Sequence, residues 1–157
     1  MAVRKLVRRK RDGFDLRFDD NERDLLGHLL GELRSLLIAE NPASDPGVAR
    51  LFPPAYPDDL LQNLDYERGA GNELLTQRLA TIDEAEAALA EPRVSEEQLM
   101  ALLRAVNDLR LVYGVKLEVT EESGRGDFTD DRSRATFDLY VWLGWLVEHI
   151  VSGLNDG

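Results

Sequence analysis

Apolar residues recur along most of this chain at three- and four-residue intervals, the spacing that lines one face of an α-helix. Leu25, Leu26, Leu29, Leu30, Leu33, Leu36 and Leu37 mark a first helix over 21–39. Ahead of it, Asp19-Asp20-Asn21-Glu22 supplies cap candidates and negative charge at the positive end of the helix dipole. Gly27 and Gly31 interrupt this helix four residues apart, each costing about 1 kcal/mol relative to alanine. They read either as tolerated surface glycines or as a place of close approach by another helix, around Gly144.

A second helical segment is expected over 58–90. Leu60, Leu61 and Leu64 open it, a break is expected near Gly69-Ala70-Gly71, and Leu74, Leu75, Leu79, Ile82 and Leu89 carry it on until Pro92 stops it. Asp83, Glu84 and Glu86 near its end form a solvated acidic face or, alternatively, a docking face for the basic hairpin or a partner. A third segment, 95–118, opens on Ser95-Glu96-Glu97-Gln98, in which hydroxyl and amide side chains each satisfy the other residue's backbone N–H. Leu99, Leu102, Leu103, Val106, Leu109 and Tyr113 follow at helical spacing, and Leu111, Val112 and Val115 add apolar surface elsewhere, so this helix is expected at the centre. The last segment, 131–153, is apolar on nearly every side from Phe137 to Ile150, which predicts burial all round, in its own fold or in an interface.

Near the start, Phe14–Phe18 alternates apolar and charged residues instead. Val3–Lys10 and Phe14–Phe18 flank Arg11-Asp12-Gly13, and Asp-Gly is a hairpin turn signal, so residues 1–18 predict a basic β-hairpin with Phe14, Leu16 and Phe18 facing a helical core. Prolines 42, 46, 53, 54 and 57 make Asn41–Pro57 a loop, with a helical turn at Val48–Phe52 and anchors in Leu51, Phe52 and Tyr56. Thr120–Asp131, polar and containing Gly124 and Gly126, reads as a mobile loop. With no internal repeat, 1–157 is expected to form a single helical domain: mainly α, a compact bundle of four to five helices with a short N-terminal β-hairpin.

The absence of cysteine excludes disulfides, thiolate zinc sites and a cysteine nucleophile, and fits a reducing compartment, so a cytoplasmic protein is expected. The charged start lacks the apolar stretch of a signal peptide, and the run from Leu139 to Val147 is far short of the roughly 20 residues that span a membrane. Net charge is −11, yet the first eleven residues hold six Lys and Arg and no acidic residue, leaving −17 on the rest. An acidic body repels nucleic acid and anionic membranes, whereas Arg4, Lys5, Arg8, Arg9, Lys10 and Arg11 would attract either.

Candidate chemistry is sparse. His28 and Glu32 share a helix face, but two groups on one helix are too few for a metal site, and a surface His–Glu contact is expected. His149 ends the Trp142-Trp145-His149 face and is expected to pack. Neither a GxSxG elbow nor a GxxxxGK[ST] loop occurs, and Asp127–Asp131 departs from a calcium loop at Arg132 and Asp138. No catalytic residue, metal or cofactor is therefore assigned. Asn107, Asp108 and Arg110 interrupt the apolar central helix; they predict either a satisfied structural network, with Arg110 paired to a carboxylate, or a ligand site. The faces carrying Tyr140 and carrying Trp142 and Trp145 differ, which makes these aromatics a candidate interface and a two-fold dimer contact conceivable.

Leu51-Phe52-Pro53-Pro54-Ala55-Tyr56-Pro57-Asp58, Leu102–Leu111 with its Asn107-Asp108-Leu109-Arg110 segment, Lys116-Leu117-Glu118-Val119-Thr120 and Tyr140–Leu146, in this order, resemble an uncharacterised actinobacterial family, domain of unknown function 2017. The likeness covers most of the chain from Leu25 onward and implies no catalytic residues. Genes of that family often neighbour the adaptor that feeds N-end-rule substrates to the Clp protease, and some members carry a transcriptional-regulator label. Together these readings predict a non-enzymatic protein-interaction or regulatory domain, with a protein partner linked to Clp-type regulated proteolysis. A nucleic-acid-binding regulator using the basic hairpin is the alternative, and a small-molecule enzyme around Asn107, Asp108 and Arg110 comes third.

Overall fold

Short polar motifs set where the helices begin. Asp19 accepts from the Glu22 amide at 2.8 Å while Glu22 accepts from the Asp19 amide at 3.0 Å, and Ser95 and Gln98 form the same reciprocal pair at 3.1 and 2.8 Å. The structure, a computed structural model, describes residues 5–38, 51, 60–117 and 130–155. Along them run β1 (Val7–Lys10), β2 (Gly13–Leu16), α1 (Asp20–Leu37), α2 (Leu60–Leu89), β3 (Arg93–Val94), α3 (Glu96–Lys116) and α4 (Asp131–Asn155). Four helices and a three-stranded antiparallel sheet of order β1-β2-β3 make the described residues mainly α.

The hairpin forms with a different turn from the one its Asp-Gly pair suggests. Lys10 pairs with Gly13, so the two loop residues are Arg11 and Asp12. Gly13 opens β2 at φ +152, and a side chain there would run into the Val94 carbonyl of β3. Its glycine thus answers a close approach by β3. Phe14, Leu16 and Phe18 are all buried, as their alternation predicts. The third strand was not anticipated: Phe14 pairs with Val94 and Asp15 with Arg93, and the Leu16 amide donates to the Pro92 carbonyl at 2.9 Å. Arg93 reaches the Asp15 carboxylate at 3.0 Å and holds it below the usual carboxylate range.

α3 is the central helix: it packs against α2 and α4, touches α1 and the sheet, and buries Leu99, Leu102, Ala105, Val106, Leu109 and Val112. α2 is continuous, without a break at Gly69–Gly71. Two glycines weaken a helix by about 1 kcal/mol each, which the packing of Ile82, Ala85, Ala88 and Leu89 farther along outweighs. Among the described residues a side chain at Gly27 or Gly31 would meet nothing within 4 Å, so no described helix approaches them closely. The close approach lies elsewhere: a Cβ on buried Gly153 would stand 2.5 Å from Val7 Cγ1, and Gly153 lets β1 settle on the end of α4.

Arginines tie the helices together. Arg34 of α1 donates to Asp83 at 2.6 Å and to Glu86, so two of the three acidic residues at the end of α2 meet a cation from within the chain. Arg23 of α1 donates to four backbone carbonyls: Phe18 at 3.3 Å, Leu16 at 3.0 Å, Glu91 at 3.3 Å, and Leu89. It thereby binds the exit of the hairpin to the C-terminus of α2, where a cation also favours the helix dipole.

α4 is not buried all round within this chain. Leu143, Leu146, Ile150 and Gly153 form its inner seam, whereas Val141 and Val151 are 52% and 39% exposed. Of the proline-rich segment only Leu51 is described, and it is buried. Phe52, Tyr56 and the rest of the predicted helical turn at 48–52 lie outside the described residues, as do 118–129 of the glycine-containing loop.

Candidate functional site

The polar group of α3 resolves into separate structural roles. Asp108, 5% exposed, takes two hydrogen bonds from one Arg78 nitrogen at 2.7 and 2.8 Å, so the network exists but its cation comes from α2. Burial pushes the Asp108 carboxyl up, and Arg78 offsets this only in part. Arg110 does not make the expected carboxylate pair among the described residues. Its guanidinium lies 5.7 Å from the centre of the Tyr140 ring, beside Gly144, where a Cβ would stand 3.5 Å from its Nε. Asn107 is partly buried. Asp108 stands one and two positions from the other two and points away from them, so the three do not converge on a ligand, although Asn107 and Arg110, three apart, share a face.

Two cations of the basic hairpin, Arg9 and Lys10, are engaged within the chain, although Arg9 stays exposed. Arg9 donates to the Leu154 carbonyl at 2.8 Å and lies over the Phe14 ring at 4.8 Å, and Lys10 sits 3.8 Å from Asp15. Lys5, Arg8 and Arg11 are exposed, and Arg4 lies outside the described residues. His28 meets Glu32 at 3.1 Å on the open surface, as the spacing predicts, and His149 packs its ring 4.1 Å from that of Trp145.

Tyr140 and the two tryptophans are all partly buried. Trp142 and Trp145 lie three apart on one flank of α4, and Tyr140 stands across the seam with Phe137 and Arg110. The Trp142 flank borders a groove of about 400 Å³ between α1 and α4, lined by Leu25, Ala135, Leu139 and Trp142, with Asn21, Asp19, Glu22 and Asp138 around them. Leu25 is 40% exposed there. A larger cleft of about 650 Å³ opens among α1, the end of α3 and the start of α4, polar and apolar in about equal measure, lined among others by Glu32, Leu36, Tyr113, Leu117 and Arg132. In it Tyr113 donates to Glu32 at 3.3 Å, and burial together with that carboxylate pushes the phenol up to about 12. Held neutral, the phenol acts there as a hydrogen-bond donor.

Leu25, Ala135, Leu139 and Asp138 were not singled out from the sequence as site residues. The available signal was position: Leu25 precedes Leu26 at the edge of the leucine stripe, and Ala135, Leu139 and Trp142 recur at helical spacing on α4.

Comparison with known proteins gives a family and distant relatives. The family described as a domain of unknown function (DUF2017) matches residues 4–154. Curated relatives named oxidative stress regulator AosR, from Mycobacterium bovis and Mycobacterium tuberculosis, are 31% identical over 125 residues. The matched region is 68% of this chain and 57% of each relative, so the match spans little more than half of their length. No solved structure matches.

Proposed function

The chain belongs to this family of unknown function, and from that premise we propose that it is a non-enzymatic regulatory domain that acts by binding another protein. The observation that carries this reading is the groove of Leu25, Leu139 and Trp142, an apolar surface left open between two helices. A regulatory role agrees with the name of the relatives. The chain contains no cysteine, so no thiol of its own would carry a link to oxidative stress. Clp-linked proteolysis, which the family resemblance implied, draws no support from those names.

The nucleic-acid alternative loses ground on geometry. Arg9 and Lys10 are engaged within the chain, and Asp12 and Asp15 stand among the remaining cations. Among the described residues, no helix is long and apolar enough to cross a membrane.

The test is capture from native lysate on tagged wild type and on Trp142→Ala, with and without nuclease. A nuclease-resistant protein recovered by the wild type and reduced with Trp142→Ala supports the reading. Recovery of nuclease-sensitive material alone, lost when Arg8 and Arg11 become Gln, overturns it in favour of nucleic-acid binding.

A further inference from the structure

Deepening the interaction reading, on which it rests, we propose that the α1–α4 groove receives an amphipathic helix of a partner protein, with large apolar side chains flanked by Lys and Arg. The apolar part of the site is a ridge. Ala135, Leu139 and Trp142 follow one another along α4 over about 10 Å, or two helical turns, and Leu25 faces them from α1. A floor of this length between two helices suits a helix that presents apolar residues at i, i+4 and i+7. Ala135 is exposed and small, which leaves room for a larger anchor side chain.

Charge selects the occupant. The groove is lined by three carboxylates, Asp19, Glu22 and Asp138, and by no basic residue among those described. Asp20 and Asp24 are exposed on the same end of α1. Of the cations near this end of the groove, Arg23 has its guanidinium on four backbone carbonyls at the hairpin exit and the α2 terminus. A second copy of this chain seated two-fold on the groove would set these carboxylates against their own kind, on a molecule of net charge −11. An acidic or neutral helix gains no steering from this rim, and a basic one gains both encounter rate and register.

The experiment uses the whole chain and a labelled synthetic helix of about four turns, with Leu at i, i+4 and i+7 and Lys on both flanks, followed by fluorescence polarisation. Three comparison peptides carry Glu for Lys, Ala for Leu, or the original residues in scrambled order. The protein variants are Leu25→Arg and Asp138→Lys, both at exposed positions, and Ala135→Trp, which fills the groove. Each is checked for unchanged far-ultraviolet circular dichroism.

The expected result is binding of the Lys-flanked peptide that weakens about tenfold or more with Leu25→Arg and with Ala135→Trp. Asp138→Lys narrows the preference for Lys over Glu flanks. Equal binding by the scrambled or Glu-flanked peptide, or affinity unchanged by Leu25→Arg, overturns the proposal. The lysate capture separates this failure from failure of the interaction reading. A protein partner held equally by wild type and Leu25→Arg keeps the interaction and removes the groove; no protein partner at all removes both.

Discussion

Replacing Arg78 by methionine isolates the buried ion pair between α2 and α3. Asp108 has its side chain 7% exposed and Arg78 30%, and a single guanidinium nitrogen serves both carboxylate oxygens at 2.7 and 2.8 Å. Methionine keeps most of the apolar stem, so the chief change is an uncompensated carboxylate in the interior. Removing one partner of a buried pair costs about 3–5 kcal/mol, and the partial exposure of Arg78 places Arg78→Met near the lower end, about 3 kcal/mol. For a chain of 157 residues this lowers Tm by about 6–12 °C, at roughly 2–4 °C per kcal/mol. The pH dependence has a definite sign. The Asp108 pKa lies above its ordinary 3.8 in the fold, so its contribution to stability is complete below that value and is lost as pH rises through the raised one. Without Arg78 the raised value climbs further, because both influences that lower it disappear. The deficit of Arg78→Met is therefore larger at about pH 7 than at about pH 5. Urea denaturation at both values, with Asp108→Asn and the double variant completing a cycle, measures it. A deficit under about 1 kcal/mol, or one equal at the two pH values, refutes the assignment of this pair as a buried charge held by its partner.

Arg23→Met removes one donor group from four carbonyls and is expected to cost about 2–4 kcal/mol in thermal or urea unfolding, whereas Arg8→Met, on the exposed face of β1, stays within about 0.5 kcal/mol. Gly27→Ala and Gly31→Ala have open space and raise stability by about 0.5–1 kcal/mol each, while Gly153→Ala meets Val7 and lowers it by about 1–3 kcal/mol; equal signs for the two classes would contradict the packing of β1 on α4. The Tyr113 phenol, raised from 10.0 to about 12, contributes stability that is complete below pH 10 and lost as pH rises through the folded value. Ultraviolet titration of wild type and Tyr113→Phe is expected to differ near pH 12, and a difference centred at pH 10 shows the phenol to be solvated.

Helix positions were legible because periodicity and capping act within a few residues. Ser95 and Gln98 place the start of α3 without reference to the rest of the chain, and Phe14, Leu16 and Phe18 declare their buried side by alternation alone. What escaped was set by distant partners. β3 is two residues long between a helix end and a cap, too short for any period to register, and it exists because β2 offers Phe14 and Asp15 to pair with. Arg110 was assigned a carboxylate and found a ring, and Arg78, the true partner of Asp108, lay unmarked thirty residues away on another helix. The groove was illegible for the same reason: Leu25 reads as core on its own helix, and only the placement of α4 leaves it 40% exposed.

The contacts of the hairpin also bear on the order in which the chain can finish folding. Arg9 binds the carbonyl of Leu154, 145 positions later, and Val7 fills the space left by Gly153, so β1 can pair with β2 early but docks on α4 only once the end of that helix exists. During synthesis at about 5–20 residues per second, that interval lasts on the order of ten seconds. Val7, buried in the finished protein, lacks its contact with Gly153 meanwhile, and the Lys and Arg residues beside it guard the strand against pairing with other chains.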